Sequence, residues 1–125
     1  MVTLKKREYE IKSANNEKSC FVYDSQYKTI NNALQKIRDE IPEAISCVLY
    51  GSCSRNESKY ESDVDLMVLL DNFNGDVQRK GRNLISELNS NVIVNVDVVF
   101  CRKERFDSDN STYYNSIKRD GIVLW

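Results

Sequence analysis

Residues 92–101, VIVNVDVVFC, alternate with a period of two, and no other stretch limits the fold so tightly. Val92, Val94, Val96, Val98 and Phe100 share one face, and that face must be covered by helices to be kept from water. The opposite face reads Ile93, Asn95, Asp97 and Val99. A carboxylate in the middle of so apolar a strand is costly unless it is solvated, paired or bound to a metal.

Helices to cover that face are legible. Ile30, Ala33, Leu34, Ile37 and Ile41 form one helical stripe from about Tyr27, with Ser25 or Thr29 as the cap and Pro42 as the stop. Val77, Gly81, Leu84, Ile85 and Leu88 form a second stripe, with Asp76 as its N-cap. Gly81 on that stripe costs about 1 kcal/mol in propensity but allows close approach to the sheet. Residues 44–50 read as the first core strand, 71–75 as a turn and 102–110 as a polar loop. Residues 111–120 read as a helix ended by Gly121, and 122–125 as a last strand or packed tail. Residues 1–26 are an N-terminal extension with one short strand or helix, read as a packing arm, and residues 27–125 form the domain proper. The expected class is α+β: a small mixed β-sheet with helices on one face and the Asp97 face left open as a cleft.

Composition removes several functions. The 125 residues suit one domain and carry a net charge of −1, so a basic nucleic-acid-binding surface is not indicated. With no histidine, Ser-His-Asp and Cys-His mechanisms are excluded. Cys20, Cys47, Cys53 and Cys101 show no C-x-x-C spacing and read as reduced thiols of a cytoplasmic protein. No apolar run approaches the roughly 18 residues of a membrane helix, and the N-terminus lacks the apolar core of a secretory signal.

Carboxylate, metal and phosphate chemistry remains, and residues 48–70, VLYGSCSRNESKYESDVDLMVLL, supply its parts. A short strand ends in Gly51-Ser52, a turn that lets backbone N–H groups meet an anion. A second strand opens with Ser62-Asp63-Val64-Asp65. Two carboxylates two residues apart on a strand face the same way, with Cα atoms about 6.6 Å apart. Asp97 joins them if its strand is a neighbour in suitable register. Three such carboxylates repel one another, and Mg²⁺ is the usual remedy. Two ions can hold the attacking and leaving oxygens of a phosphoryl displacement.

Gly51-Ser52, Arg55 and Ser62-Asp63-Val64-Asp65 resemble the signature of the polymerase-beta-like nucleotidyltransferase superfamily, closest to its minimal nucleotidyltransferase branch. Two positions depart from the branch: Ser54 replaces its usual Ala and Asn56 its usual Gly. Asn tolerates left-handed backbone better than most residues, so the loop can survive. The phosphate loop, rather than the aspartates, is where activity is most easily lost.

The resemblance implies a nucleotidyltransferase fold, with Gly51, Ser52, Arg55 and Ser62 at the nucleotide. It implies Asp63, Asp65 and Asp97 as catalytic metal ligands for two Mg²⁺ ions, or Mn²⁺ in their place. Lys59 is a further candidate phosphate contact. Tyr113 and Tyr114 are candidates to stack on a base, with a packed helix face as the stronger reading. Cys53 reads as an incidental small residue. Larger members of the superfamily add an acceptor-binding domain for which this chain has no room. The acceptor is then expected to be a partner macromolecule, or a small molecule held between copies. In the small relatives this chain resembles, the enzyme is the antitoxin of a HEPN/MNT toxin–antitoxin module and transfers AMP from ATP to a tyrosine of the HEPN toxin. Two other readings stay open: a module that silences a partner by docking, with a relic site, and an enzyme that modifies an antibiotic-type small molecule.

Overall fold

The computed structural model describes residues 5–125. A hairpin, β1 (Tyr9–Lys12) and β2 (Ser19–Val22), leads into α1 (Asp24–Glu40), β3 (Ala44–Tyr50), β4 (Val64–Leu70) and α2 (Gly75–Leu88). Then come β5 (Val96–Arg102), α3 (Lys103–Ser108), α4 (Thr112–Asp120) and β6 (Ile122–Val123). The main sheet has the order β5-β4-β3-β6. Strands β4 and β5 run parallel, joined through α2, while β3 is antiparallel to both β4 and β6. The chain is α+β with a small mixed sheet, as its sequence patterns require.

Helix α1 buries Ile30, Ala33 and Ile37 on the expected stripe. It begins at Asp24 rather than Tyr27, because the Gln26 side chain accepts the Tyr23 N–H at 3.1 Å and closes the first turn. Helix α2 is capped by Asn74, whose Oδ1 accepts the Val77 N–H at 3.0 Å; Asp76 lies inside the first turn, where its charge faces the helix dipole favourably. A Cβ at Gly81 would stand 2.7 Å from the Phe100 ring, so close helix–sheet contact is why glycine sits there. Together α1 and α2 cover Leu49, Val64, Leu66, Val68, Val96 and Val98, and this is the main core.

The valine-rich segment is less regular than its alternation predicts. Strand β5 starts at Val96, and Asn91 adopts left-handed backbone with φ 55°. Asn89 takes the place of a strand partner: its side chain accepts the Val96 N–H at 2.7 Å and donates to the Val96 carbonyl at 2.9 Å. Val94 is buried, but Val92 and Ile93 face solvent.

The opposite face of the sheet is half covered. Met67, Leu69 and Cys101 are too apolar to be left in water, and they bury with Val48, Phe106 and Ile117 in a second, smaller cluster. That need overrides the polar look of residues 102–110, which form α3 around Phe106 instead of a loop. Ser111 caps α4, and Gly121 ends it with φ −70°, not in the left-handed conformation. The uncovered half of this face carries Asp65 and Asp97.

The N-terminal region forms two strands, and Ile11, Cys20 and Val22 belong to the main core. No helix among the described residues is long and apolar enough to cross a membrane. All four cysteines are buried and free.

Candidate active site

The sheet brings two of the three aspartates, Asp65 and Asp97, side by side. Asp65 and Asp97 are register partners across the parallel β4–β5 pair, so their side chains project from the same face on adjacent strands. Asp63 immediately precedes β4 and is exposed, as is Asp97, while Asp65 is partly buried. Strand β5 is the edge of the sheet, which is how Asp97 stays solvated within an apolar sequence.

Burial, then the negative charges of Asp97 and Asp63, push the Asp65 carboxyl up to about 6; Arg55 pulls the other way. The donor set is carboxylate oxygen throughout, the hard ligand type that Mg²⁺ accepts. A partly buried carboxylate crowded by two others fits a divalent cation, whose charge would offset the repulsion. The three do not close into a preformed three-ligand cluster among the described residues. Phosphate oxygens supply further ligands in Mg²⁺–nucleotide sites.

The phosphate-loop candidates sit at the end of β3. Tyr50 is the register partner of Asp65, and Gly51 follows with φ 76°. A side chain at 51 would strike the Asp65 carboxylate, so both backbone and space require glycine. The loop closes on itself: the Ser52 carbonyl accepts the Arg55 N–H at 3.2 Å and the Glu57 N–H at 3.0 Å. The Ser54 hydroxyl donates to the Gly51 carbonyl at 2.9 Å. Ser54 therefore replaces the small residue expected there by spending its hydroxyl on the loop itself. The backbone N–H groups of Ser52, Cys53 and Ser54 donate to no protein acceptor among the described residues; Ser52 is partly exposed, where its N–H can meet an anion, whereas Cys53 and Ser54 are buried. Asn56 is left-handed, φ 59°.

Other candidates sit nearby in lesser roles. Arg55 is exposed, pairs with Glu57 at 2.7 Å and is near enough to influence Asp65. The Ser62 hydroxyl accepts the Lys59 N–H at 2.8 Å and shapes the turn before β4. Lys59 is exposed. Cys53 is fully buried, and burial pushes its thiol up to about 12, so it is an unreactive packing residue.

Two features of the site had no clear signal in the sequence. The first is Gln26, fully buried on α1. Its amide donates to the Lys59 carbonyl at 2.8 Å and the Ser62 carbonyl at 3.3 Å, and it accepts from the Ser58 hydroxyl at 3.1 Å. It anchors the segment that delivers Asp63. The second is Tyr50, whose hydroxyl lies 3.4 Å from that of half-exposed Tyr113. Burial raises the Tyr50 pKa, with smaller contributions from Tyr113, Asp65 and Asp97. Its place directly before Gly51 was the available clue. Tyr114 packs edge-on against Phe106 and Tyr113 in the second cluster.

A family model described as "Nucleotidyltransferase domain" matches residues 30–123. No curated protein is significantly similar to the chain. Among solved structures, a chain from a mutant of the toxin–antitoxin pair MntA–HpeT is 26% identical, with 77% of this chain and 71% of that one covered and a TM-score of 0.55. A toxin–antitoxin chain solved with AMP-PNP is 25% identical, covering 76% and 71%, with a TM-score of 0.53. A chain from the complex of tri-AMPylated Shewanella oneidensis HEPN toxin with MNT antitoxin is 24% identical, covering 80% and 71%, with a TM-score of 0.51.

Proposed function

The chain belongs to the nucleotidyltransferase domain family, and on that premise we propose that it transfers AMP from ATP to a hydroxyl of a partner protein. The partner is a HEPN-type toxin, its acceptor a tyrosine, and this chain is the antitoxin of the pair. The single observation that carries the chemistry is the pairing of Asp65 with Asp97 in register, beside the Gly51-Ser52 turn. The likeness to MntA–HpeT and to the toxin–antitoxin chain solved with AMP-PNP supports the partner and the nucleotide. Four buried free thiols suit a reducing cytoplasm.

In this reading, the Ser52 hydroxyl and the backbone N–H groups of the Gly51-Ser52 turn hold the triphosphate. Asp63 and Asp65 would hold the Mg²⁺ ion on the phosphates, and Asp97 with them the ion on the acceptor side. Bound there, the ions would neutralise phosphate charge and lower the acceptor hydroxyl pKa. The acceptor oxygen attacks the α-phosphorus, the bond to the bridging oxygen breaks and pyrophosphate leaves; the acceptor proton passes to solvent. Positioning and charge neutralisation supply the rate. Arg55 adds positive charge beside the leaving group.

The test uses ATP labelled at the α-phosphate, Mg²⁺ and the protein that co-purifies with this chain. Label should appear on a tyrosine of that partner, and label at the γ-phosphate should not. A partner that stays unlabelled with every nucleotide and divalent metal tried would overturn the reading. If Asp63→Asn/Asp65→Asn still protected cells from the partner, docking alone would be the function.

A further inference from the structure

Residues 9–22 lie outside the matched family region, yet they touch the loop that the proposed chemistry depends on. The Phe21 backbone N–H donates to Asn56 Oδ1 at 2.7 Å. Asn56 is the left-handed residue that closes the 51–57 loop, φ 59°. Nearby, Arg7 Nη1 donates to the Ser58 carbonyl at 2.9 Å. Beneath this bond Cys20 of β2 and Cys53 of the loop are buried in the same core, while on the solvent side a cleft of about 460 Å³, lined by Lys18, Ser19, Ser54, Arg55, Asp120 and Ile122, opens between hairpin and loop, so the Phe21–Asn56 bond is the polar link across the outer part of this contact.

A glycine at 56 would provide the backbone conformation equally well, but with no side chain to hold the loop. Asn provides the conformation and a tether together. The hairpin itself is fixed, because Cys20 and Val22, on either side of Phe21, are fully buried in the main core. The tether therefore runs from the core to the loop bearing the Gly51-Ser52 turn.

We infer that the N-terminal hairpin is a working part of the nucleotide site, and that Asn56 is a positioning residue through which it holds the phosphate loop in its binding conformation. The inference rests on the nucleotide-transfer reading above. A loop fixed before the nucleotide arrives does not lose its freedom on binding, and affinity rises accordingly.

The experiment measures binding of AMP-PNP with Mg²⁺ to the full chain and to three variants. Asn56→Gly keeps the left-handed backbone and removes the acceptor. Phe21→Pro removes the donor and leaves Asn56 in place. The third variant carries both. Each single change should weaken binding about fivefold, the worth of one ordinary hydrogen bond. The double variant should be no worse than either, as for two ends of one bond. Hydrogen exchange should quicken across residues 51–57 while amides near Cys20 and Val22 keep their protection, which separates loop positioning from loss of hairpin structure. Singles that bind as tightly as the parent, or losses that simply multiply in the double variant, would overturn the inference and leave the proposed function standing. A parent chain that binds no nucleotide would overturn both.

Discussion

Asp65 and Asp97 occupy matching positions on β4 and β5, and partial burial, with the negative charge of Asp97 added to it, holds the Asp65 carboxyl at about 6. Below the ordinary carboxylate range both folded and unfolded chains are protonated there, and the group contributes nothing. Between about pH 4 and 6 the folded chain keeps a proton that the unfolded chain has lost, so stability falls as pH rises through that window. Above it the full cost persists. Asp65→Asn should therefore stabilise the metal-free protein at pH 7.5 by about 1 kcal/mol, discounted for partial solvent exposure. The gain should vanish near pH 4. Thermal unfolding in EDTA across pH 4 to 7.5 checks this, and a variant less stable than the parent at pH 7.5 would count against it.

The same repulsion makes an ion stabilising. Saturating Mg²⁺ should raise the melting temperature of the parent and leave Asp65→Asn/Asp97→Asn unchanged, because only a folded cluster with its charges intact gains by binding. Titration calorimetry of the metal alone against both proteins gives an independent reading.

Gly51 is fixed twice over, by its φ of 76° and by the Asp65 carboxylate where a Cβ would stand. Gly51→Ala should cost about 1–3 kcal/mol of stability and push Asp65 out of line. Urea denaturation measures the first effect, and loss of α-phosphate transfer the second.

Gln26 is a buried amide that ties the Tyr23 N–H at the start of α1 to Ser58, Lys59 and Ser62 of the site-bearing segment. Gln26→Leu keeps the bulk but removes the partner of the Ser58 hydroxyl, the Tyr23 N–H and the Ser62 carbonyl, and should destabilise by about 2–3 kcal/mol. Hydrogen exchange should rise across residues 58–62 before the rest of the sheet responds.

Gly81→Val tests helix–sheet distance apart from chemistry. A side chain there must displace the Phe100 ring, which stacks on Phe73, so a cost of about 1–3 kcal/mol is expected. Transfer activity at a temperature where the variant is folded should match the parent, since Gly81 and Phe100 lie on the core face.

Much of this was legible in the residues. The stripe Ile30, Ala33, Ile37 and the alternation of Val96, Val98 and Phe100 are periodicities that local geometry enforces, and the elements follow them. Where the reading failed, a tertiary demand had outweighed a local one. Residues 102–110 look polar, but Phe106 is needed over Met67 and Leu69, and the segment becomes helical. Residues 92–95 alternate like a strand, but the Asn89 side chain takes the hydrogen-bonding positions at the start of β5.

Residue type and spacing alone contain the pieces of the site: the Gly51-Ser52 turn, the Asp63-x-Asp65 pair and an aspartate stranded among valines. Their chemistry is local, since side-chain type and the two-residue strand period decide which groups face together. That Asp97 meets Asp65 follows from the packed fold, because strand order and register arise from burying two helices against one face and two against half of the other. The packed fold also decided that the N-terminal hairpin reaches Asn56, a contact across 35 positions of chain that no local pattern encodes. Such contacts form because the core they flank is formed, and their partners in sequence carry no sign of it.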